Sequence, residues 1–191
     1  MSIDSSKIIC TGCDYESREL YQPILIRYQT TKGAVIEGGQ ARGWCYQCAG
    51  YSSIESMDIR HFYDSLFQVE SERLDLRLRL HRLNRGILPT LKCLAEKRRL
   101  RSKIDFQERS IAGLVGLIGI AKKRDSNARC LRCWSSRTVP VTFDPQDHVA
   151  YNFEHECGGH LKMIYGDSQL RVNFRISTYV LSEEGELLAK E

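Results

Sequence analysis

The chain has no long apolar run, few prolines and a modest share of aromatic residues. Its 191 residues include 4 prolines and 9% aromatic residues, whereas 42% are hydrophobic. This composition excludes collagen-like chains and intrinsically disordered chains. A chain of this length can form one domain or two small ones. We therefore expect a globular protein.

No stretch of the sequence is suited to a membrane. The most apolar window, IAGLVGLIGIA at residues 111–121, is shorter than the roughly 20 residues that a membrane-spanning helix needs. The first residues, MSIDSSKIICTGC, lack the basic head, apolar run and cleavage site of a secretory signal. We expect a soluble, cytoplasmic protein with no membrane partner.

The signatures of common enzyme classes are also missing. The sequence has no phosphate-cradling glycine loop, no nucleophile elbow and no paired carboxylates in a strand–turn context. These absences favour a protein that is not an enzyme.

Cysteine, in contrast, is abundant, with eight residues in the chain. In a reducing cytosol, this number favours metal ligands or reactive thiols over a disulfide framework. Seven of the cysteines and one histidine form four pairs with a two-residue spacer. The pairs are Cys10 with Cys13, Cys45 with Cys48, Cys130 with Cys133, and Cys157 with His160.

These pairs predict two zinc sites, and therefore two Zn²⁺ per chain. A two-residue spacer lets both donors face one ion, and zinc prefers four thiolate or imidazole ligands. Taken in chain order, the first two pairs predict a four-cysteine site, and the last two predict a site with three cysteines and a histidine. His155 is the alternative fourth ligand of that second site.

Two other uses of the pairs fit the sequence less well. A dithiol oxidoreductase needs a pair at the start of a helix in a βαβ unit, and none of the four precedes a convincing amphipathic helix. A catalytic zinc keeps an open coordination position, whereas each set already has four ligands. Glu154, His155 and Glu156 are the local hint of a zinc hydrolase or nuclease.

Short strands are predicted between the pairs. ILIRYQTTKGAVIEGGQ at 24–40 and RTVPVTFDPQDHVAYNF at 137–153 place β-branched and aromatic residues around Gly, Pro and Asp, which predicts a hairpin in each. With the motifs CTGC, CYQC, CLRC and CGGH, both ends of the chain resemble the zinc-ribbon superfamily. The resemblance implies two small β-rich modules, each held by one zinc ion.

The middle segment, residues 57–129, has helical periodicity. Apolar positions recur at alternating steps of three and four from Ile59 to Ile87, and again from Cys93 to Ala121. This pattern predicts an antiparallel pair of helices of about 30 residues each. The alternating leucines of LDLRLRLHRL leave a strand as the alternative.

The sequence also predicts the roles of several individual residues in this helical hairpin. Gly86 is expected to cap the first helix and Pro89 to begin the second. Leu74 and Leu78 are expected to widen the apolar face of the first helix.

In the second helix, Cys93 is expected to be buried on the seam, with a reactive thiol as the alternative. Glycine costs about 1 kcal/mol relative to alanine inside a helix. The glycines at 113, 116 and 119 therefore predict a close contact with the partner helix or with another protein, and local fraying is the alternative.

The positive charge belongs to the same segment. Residues 57–129 contain 17 Lys/Arg and 9 Asp/Glu, whereas both flanking segments have more acidic than basic residues. Because Lys and Arg neutralise phosphates and release counterions, this favours nucleic acid over an acidic protein surface or a merely solvated face. The candidate nucleic-acid-binding residues are Arg77, Arg82, Lys97, Arg98, Arg99, Arg101 and Lys103.

These observations predict an α+β protein with two small zinc ribbons flanking a long helical hairpin. The N-terminal ribbon spans 1–56, the basic hairpin 57–129, and the C-terminal ribbon 130–191, with an extra strand and an acidic tail. We expect a non-enzymatic adaptor that docks on a larger protein complex and contacts nucleic acid. The alternatives are a regulator that inserts its hairpin into a large enzyme such as a polymerase, and a zinc-dependent hydrolase or nuclease.

Overall fold

The computed structural model of the chain describes residues 2–19, 23–84, 91–171 and 176–191. The chain divides into two compact units. One combines Met1–Met57 with Arg124–Glu191, and the other is Asp58–Lys123. A helical unit is therefore inserted in the chain of a single β-rich unit. This organisation differs from the predicted series of three consecutive modules.

The helical unit consists of α1 (Ile59–Asn84) and α2 (Leu91–Lys123), which confirms helix rather than strand for this segment. Asp58 caps α1, because its carboxylate accepts hydrogen bonds from the backbone N–H groups of Arg60 and His61. The expected caps at Gly86 and Pro89 lie outside the described residues. Neither helix has a stretch long and apolar enough to cross a membrane.

The two helices run antiparallel along each other. Near the start of α1, the Tyr63 ring lies 5.4 Å from Nζ of Lys122, near the end of α2. Toward the end of α1, Nη2 of Arg79 lies 3.7 Å from Oε1 of Glu96, near the start of α2. None of the described residues of the predicted seam is exposed, and Phe62, Leu100, Ile104 and Ile118 are buried. Leu117 and Ile120 are buried as well, although they lie outside the predicted seam.

The seam cysteine and the glycines of α2 turn out differently. Cys93 is half-buried. A Cβ built on Gly113 or Gly119 would meet nothing within 4 Å, so the expected contact with the partner helix is not made at these two positions. The helix continues through both glycines.

The β unit contains short strands from both parts of the chain. In chain order they are β1 (Ser2–Cys10), β2 (Glu16–Glu19), β3 (Ile24–Gln29), β4 (Val35–Gly38), β5 (Gln40–Cys45), β6 (Gly50–Glu55), β7 (Thr138–Pro140), β8 (Val149–Glu154), β9 (His160–Arg171), β10 (Ser177–Ser182) and β11 (Leu187–Lys190).

Every sheet of the described chain combines strands from before and after the helical unit. The strand orders are β2-β1-β9-β8, β11-β10-β3-β4 and β6-β5-β7. β1 runs antiparallel to β9, β10 runs parallel to β3, and β5 runs antiparallel to β7. The two ends of the chain therefore depend on each other for their sheets.

Of the two predicted hairpins, the first is confirmed, and the second is reduced to a single antiparallel bridge between Phe143 and Ala150. β3 pairs with β4 through a turn at Gly33, which has a positive φ of 79°. β7 instead pairs with β5, and β8 pairs with β9. β7 ends at Pro140, which has no N–H group to continue a ladder. The acidic end of the chain forms β11 against β10 rather than a free tail.

The hydrophobic core of the β unit is shared by both segments. Ile8, Trp44 and Tyr51 come from the first segment, and Phe153 and Leu161 come from the second. The rings of Trp44 and Phe153 stack with centroids 5.4 Å apart. Neither segment can bury these side chains by itself, because each provides only part of the cluster.

A buried ion pair lies where the chain leaves and re-enters the β unit. Glu55 is the last residue of β6 and Arg124 is the first residue after α2, and the side chains of both are almost fully buried. Arg124 donates from Nη1 and Nη2 to the two carboxylate oxygens of Glu55, at 3.0 and 2.7 Å. The Tyr28 hydroxyl and the Arg129 N–H also donate to this carboxylate.

The Tyr28 hydroxyl is held in its neutral form by these surroundings. Burial and the nearby Glu55 carboxylate raise the pKa of Tyr28 above its ordinary value. The phenol therefore remains a hydrogen-bond donor at neutral pH. The Glu55 carboxylate is fully hydrogen-bonded, as a buried charge requires.

Replacing Arg124 by Leu should cost about 3–5 kcal/mol of unfolding free energy, because the Glu55 carboxylate then stays buried without its cation. Urea unfolding of the metal-loaded protein measures this cost. Arg27→Leu removes an exposed ion pair to Glu191 and serves as the control, with an expected cost below about 1 kcal/mol. Equal costs for the two variants would contradict the role given to Arg124.

Candidate metal centres and helical surfaces

The first metal-ligand cluster, called site 1 here, joins the two parts of the β unit. Its residues are Cys10, Cys13, His155 and Cys157, and their ligand atoms all lie within 4.8 Å of one another. Cys10 Sγ is 3.3 Å from Cys157 Sγ, and His155 Nδ1 is 3.2 Å from the same sulfur. The sulfurs are farther apart than the roughly 2.05 Å of a disulfide bond. Their spacing suits four ligands of one metal ion.

Two glycine-containing turns are packed against each other at site 1. A Cβ on Gly12 would lie 3.0 Å from Gly159 Cα, and a Cβ on Gly159 would overlap the Gly12 backbone. The Thr11 N–H donates to the His160 carbonyl at 2.9 Å, and the His160 N–H donates to Thr11 Oγ1 at 2.9 Å. Only glycine permits this approach, which brings the ligands of both turns together.

The histidine of site 1 is His155, a correction of the predicted His160. The His155 ring packs against Tyr15 and Trp44, with centroids 5.4 and 5.0 Å away, and its Nδ1 lies 3.6 Å from Cys13 Sγ. His160 begins β9 and is exposed, whereas the next residue, Leu161, is fully buried. Because side chains alternate along a strand, His160 faces away from the core.

The second cluster, site 2, contains four cysteines. They are Cys45, Cys48, Cys130 and Cys133, with all sulfurs within 4.8 Å of one another. Cys45 Sγ is 3.5 Å from Cys133 Sγ, and Cys48 Sγ is 3.9 Å from Cys130 Sγ. This cluster also has the donor set and spacing for one metal ion.

Backbone geometry positions the two cysteine pairs of site 2. Ala49 follows the first pair with a φ of 47°, and Trp134 follows the second with a φ of 63°. These left-handed residues reverse the chain directly after each pair. Thr138 of β7 pairs with Cys45 of β5, and the Leu131 N–H donates to the Ser53 carbonyl at 2.9 Å. Strand pairing therefore brings the two turns together.

The thiols of site 2 titrate unequally. Burial raises the pKa of the Cys130 thiol, but hydrogen bonding to Ser52 and to the backbone N–H groups of Arg132 and Cys133 outweighs burial and lowers this pKa to about 7. Burial and the neighbouring thiols raise the pKa of Cys48. Four thiolates cannot be held together here without a cation to compensate their charge.

The grouping of the ligands differs from the one predicted from chain order. Each site takes one pair from before the helical unit and one from after it, instead of two consecutive pairs. The seven predicted cysteines all belong to a site. The crossing arises because β1 pairs with β9 and β5 pairs with β7. Spacing identifies a local pair, but only strand pairing decides which pairs share an ion.

Double substitutions test the crossed grouping through metal content. Cys10→Ser with Cys157→Ser should leave one metal ion per chain, because both cysteines belong to site 1. Cys10→Ser with Cys45→Ser should leave none, because it damages both sites. Elemental analysis of freshly reduced protein measures the content. If the first double variant retained no ion and the second retained one, the grouping in chain order would be supported instead.

Single histidine variants test the fourth ligand in the same assay. His155→Ala should lower the metal affinity of site 1, whereas His160→Ala should retain both ions.

The positive charge of the helical unit lies at one end. We call residues 77–84 and 91–103 the distal half, because α1 ends there and α2 begins there. The distal half contains nine Lys/Arg and one Asp/Glu, whereas residues 58–76 and 104–123 together contain five Lys/Arg and seven Asp/Glu. All seven residues predicted to contact nucleic acid lie in the distal half.

Ion pairing and burial divide these seven residues. Arg77 is paired with Glu108, at 2.5 Å between Nη2 and Oε1, and Lys97 is half-buried on the seam. The other five are exposed and form no ion pair within the described part of the chain. They are Arg82, Arg98, Arg99, Arg101 and Lys103. These five cations are the ones most available to an anionic ligand.

An exposed apolar stripe on α1 was missed by the sequence analysis. Tyr63, Phe67, Leu74 and Leu78 are 45%, 77%, 59% and 49% exposed. At 3.6 residues per turn, they fall within about 60° of one another around the helix. Leu74 and Leu78 thus lie outside the seam that they were expected to widen. We call these four residues the α1 stripe.

Comparisons of the chain with protein families, curated proteins and solved structures found no match. We therefore infer its function from the metal sites and the helical surfaces.

Proposed function

We propose that sites 1 and 2 each hold a structural zinc ion. Zinc–sulfur bonds of about 2.3 Å at tetrahedral angles place sulfurs about 3.8 Å apart, and the measured sulfur separations are 3.3, 3.5 and 3.9 Å. Thiolate and imidazole are the ligands that zinc prefers among the common protein metals. The sulfur-rich donor sets therefore favour zinc over magnesium or calcium.

A structural role is supported by the number of ligands. A catalytic zinc has three protein ligands and one open position for water, whereas each site here supplies four protein donors. Glu154 and Glu156 are exposed side chains beside His155. We therefore propose a protein that is not an enzyme, and we place the zinc hydrolase or nuclease second.

We propose further that the protein is an adaptor whose helical unit contacts nucleic acid and a protein of a larger complex. The observation that carries the nucleic-acid part is the group of five exposed cations in the distal half that form no ion pair with any described residue. A cation already in an ion pair must give up that pair to bind a phosphate, whereas these five need not. Five phosphate contacts correspond to a salt slope of roughly −3.5 to −4.5 in log K against log salt.

The α1 stripe supports the protein-docking part of the proposal. Single exposed apolar residues are common on protein surfaces, whereas four on one face of a helix are a recurrent sign of a docking surface. A helix face of this kind is suited to an apolar groove on another protein. A regulator that inserts its hairpin into a large enzyme such as a polymerase would use the same two surfaces.

The triple variant Arg98→Gln, Arg99→Gln, Arg101→Gln should weaken nucleic-acid binding and flatten the salt slope by about two to three units, because each lost phosphate contact removes up to roughly one unit. Fluorescence anisotropy at several salt concentrations measures both quantities. The matched control changes Lys32, Arg60 and Lys123 to Gln, which removes the same charge from exposed positions outside the distal half. An equal loss in the control would show that only net charge matters.

The double variant Phe67→Ser, Leu74→Ser should lose a protein that co-purifies with the tagged wild type from its native host, while nucleic-acid affinity is retained. Val115→Ser is the control, since Val115 is 54% exposed on α2 and lies outside the stripe. Light scattering tests whether the molecule that binds the α1 stripe is a second copy of this chain. A wild-type dimer that becomes a monomer in the double variant would replace the docking proposal by self-association.

A further inference from the structure

A groove runs along one side of the helical pair. Two adjacent cavities of about 600 and 480 Å³ lie along α1 and α2, and Arg79 and Lys103 line both of them. Their volumes fall within the range of about 300–1,000 Å³ that ligand pockets occupy. Arg99 lines one of the cavities, and Arg109 lines the other. Basic side chains therefore occur along the whole groove.

An exposed aromatic ring stands in this groove. Phe106 is 61% exposed and lines the larger cavity. Lys103 and Arg109 lie three residues before and after it on α2, so each is its neighbour on the helix surface. An exposed ring with cations on both sides is the arrangement that single-strand binding proteins use to stack a base and hold its flanking phosphates.

The acidic residues of the groove differ in how they would affect a bound nucleic-acid strand. The Glu72 carboxylate accepts hydrogen bonds from Gln68 at 3.3 Å and Gln107 at 2.7 Å. Glu96 lies 3.7 Å from Arg79. Asp75 also lines the larger cavity, near Phe106. A carboxylate there can accept a hydrogen bond from the amino group of a base, so it suits the base edge rather than the phosphates.

We propose that this groove binds single-stranded nucleic acid, with one base stacked on Phe106 and the phosphates held by Arg99, Lys103 and Arg109. The inference rests on the proposed nucleic-acid function and adds a preference for unpaired strands. In a duplex, the faces of the bases are covered by their neighbours and cannot reach a ring on a protein surface. Phe106 therefore contributes only to the binding of a single strand.

The length of the groove sets the size of the ligand. On α2 it extends from residue 95 to residue 109. At a rise of 1.5 Å per residue, this is about 21 Å. A stacked strand advances about 3.4 Å per nucleotide, so the groove accommodates roughly six nucleotides.

The test compares variants of exposed aromatic residues in the full-length, metal-loaded protein. The probe is a fluorescein-labelled DNA oligonucleotide of about 12 nucleotides with mixed sequence, single-stranded or annealed to its complement, with the matching RNA in parallel. Phe106→Leu should weaken single-strand binding about tenfold, the effect of one lost base–ring stack. Phe106→Tyr keeps the ring and should bind as the wild type does. Tyr151→Leu, which removes a ring that is 69% exposed on β8, should also bind as the wild type does.

The outcomes separate this inference from the function on which it rests. Duplex affinity should be the same for Phe106→Leu and wild type. If Phe106→Leu binds the single strand normally while the Arg98, Arg99 and Arg101 variant loses both probes, the nucleic-acid function stands and the stacking inference is overturned. If the wild type binds neither DNA nor RNA at low salt, both are overturned. The stacking inference would also be overturned if polyglutamate displaced the probe as effectively as the unlabelled single strand does. The groove would then select its ligand by charge alone.

Discussion

Each metal-ligand cluster bridges two segments of chain that are separated by the whole helical unit, and the β unit depends on that bridging. Site 1 joins Cys10 and Cys13 to His155 and Cys157, and site 2 makes the same kind of connection between the other two pairs. The sheets and the core are shared between the same two segments. Because strand pairing and the two ligand clusters bring the same residues together, a metal ion that binds either cluster would also stabilise the folded β unit.

The crossing also explains how a long helical insertion is tolerated. Glu55 and Arg124 form a buried ion pair at the two points where the helical unit is inserted. The entropic cost of closing a loop rises only slowly with loop length, so a helical pair can be accommodated between two fixed points. The β unit then needs none of the distal cations, the α1 stripe or Phe106 for its own core.

The sequence revealed what depends on local spacing and missed what depends on long-range pairing. The helices followed from a seam that repeats every three or four residues, and the cysteine ligands followed from their two-residue spacers. The crossing could not be read in this way, because it depends on the pairing of β1 with β9, far apart in the chain. The prediction preferred His160 to His155 as the fourth ligand, because spacing carries no information about the Tyr15 and Trp44 rings that pack against His155. The exposure of Leu74 and Leu78 was likewise hidden, since an alternating run of leucines supplies both the seam and the opposite face.

The central claim is that each ion is held by ligands from both ends of the chain. Anomalous diffraction at the zinc absorption edge, from crystals of the metal-loaded protein, tests this claim most directly because it locates the ions among the side chains. The account predicts two peaks, one bonded to Cys10, Cys13, His155 and Cys157, and one bonded to Cys45, Cys48, Cys130 and Cys133. A peak enclosed by Cys10, Cys13, Cys45 and Cys48 would contradict it.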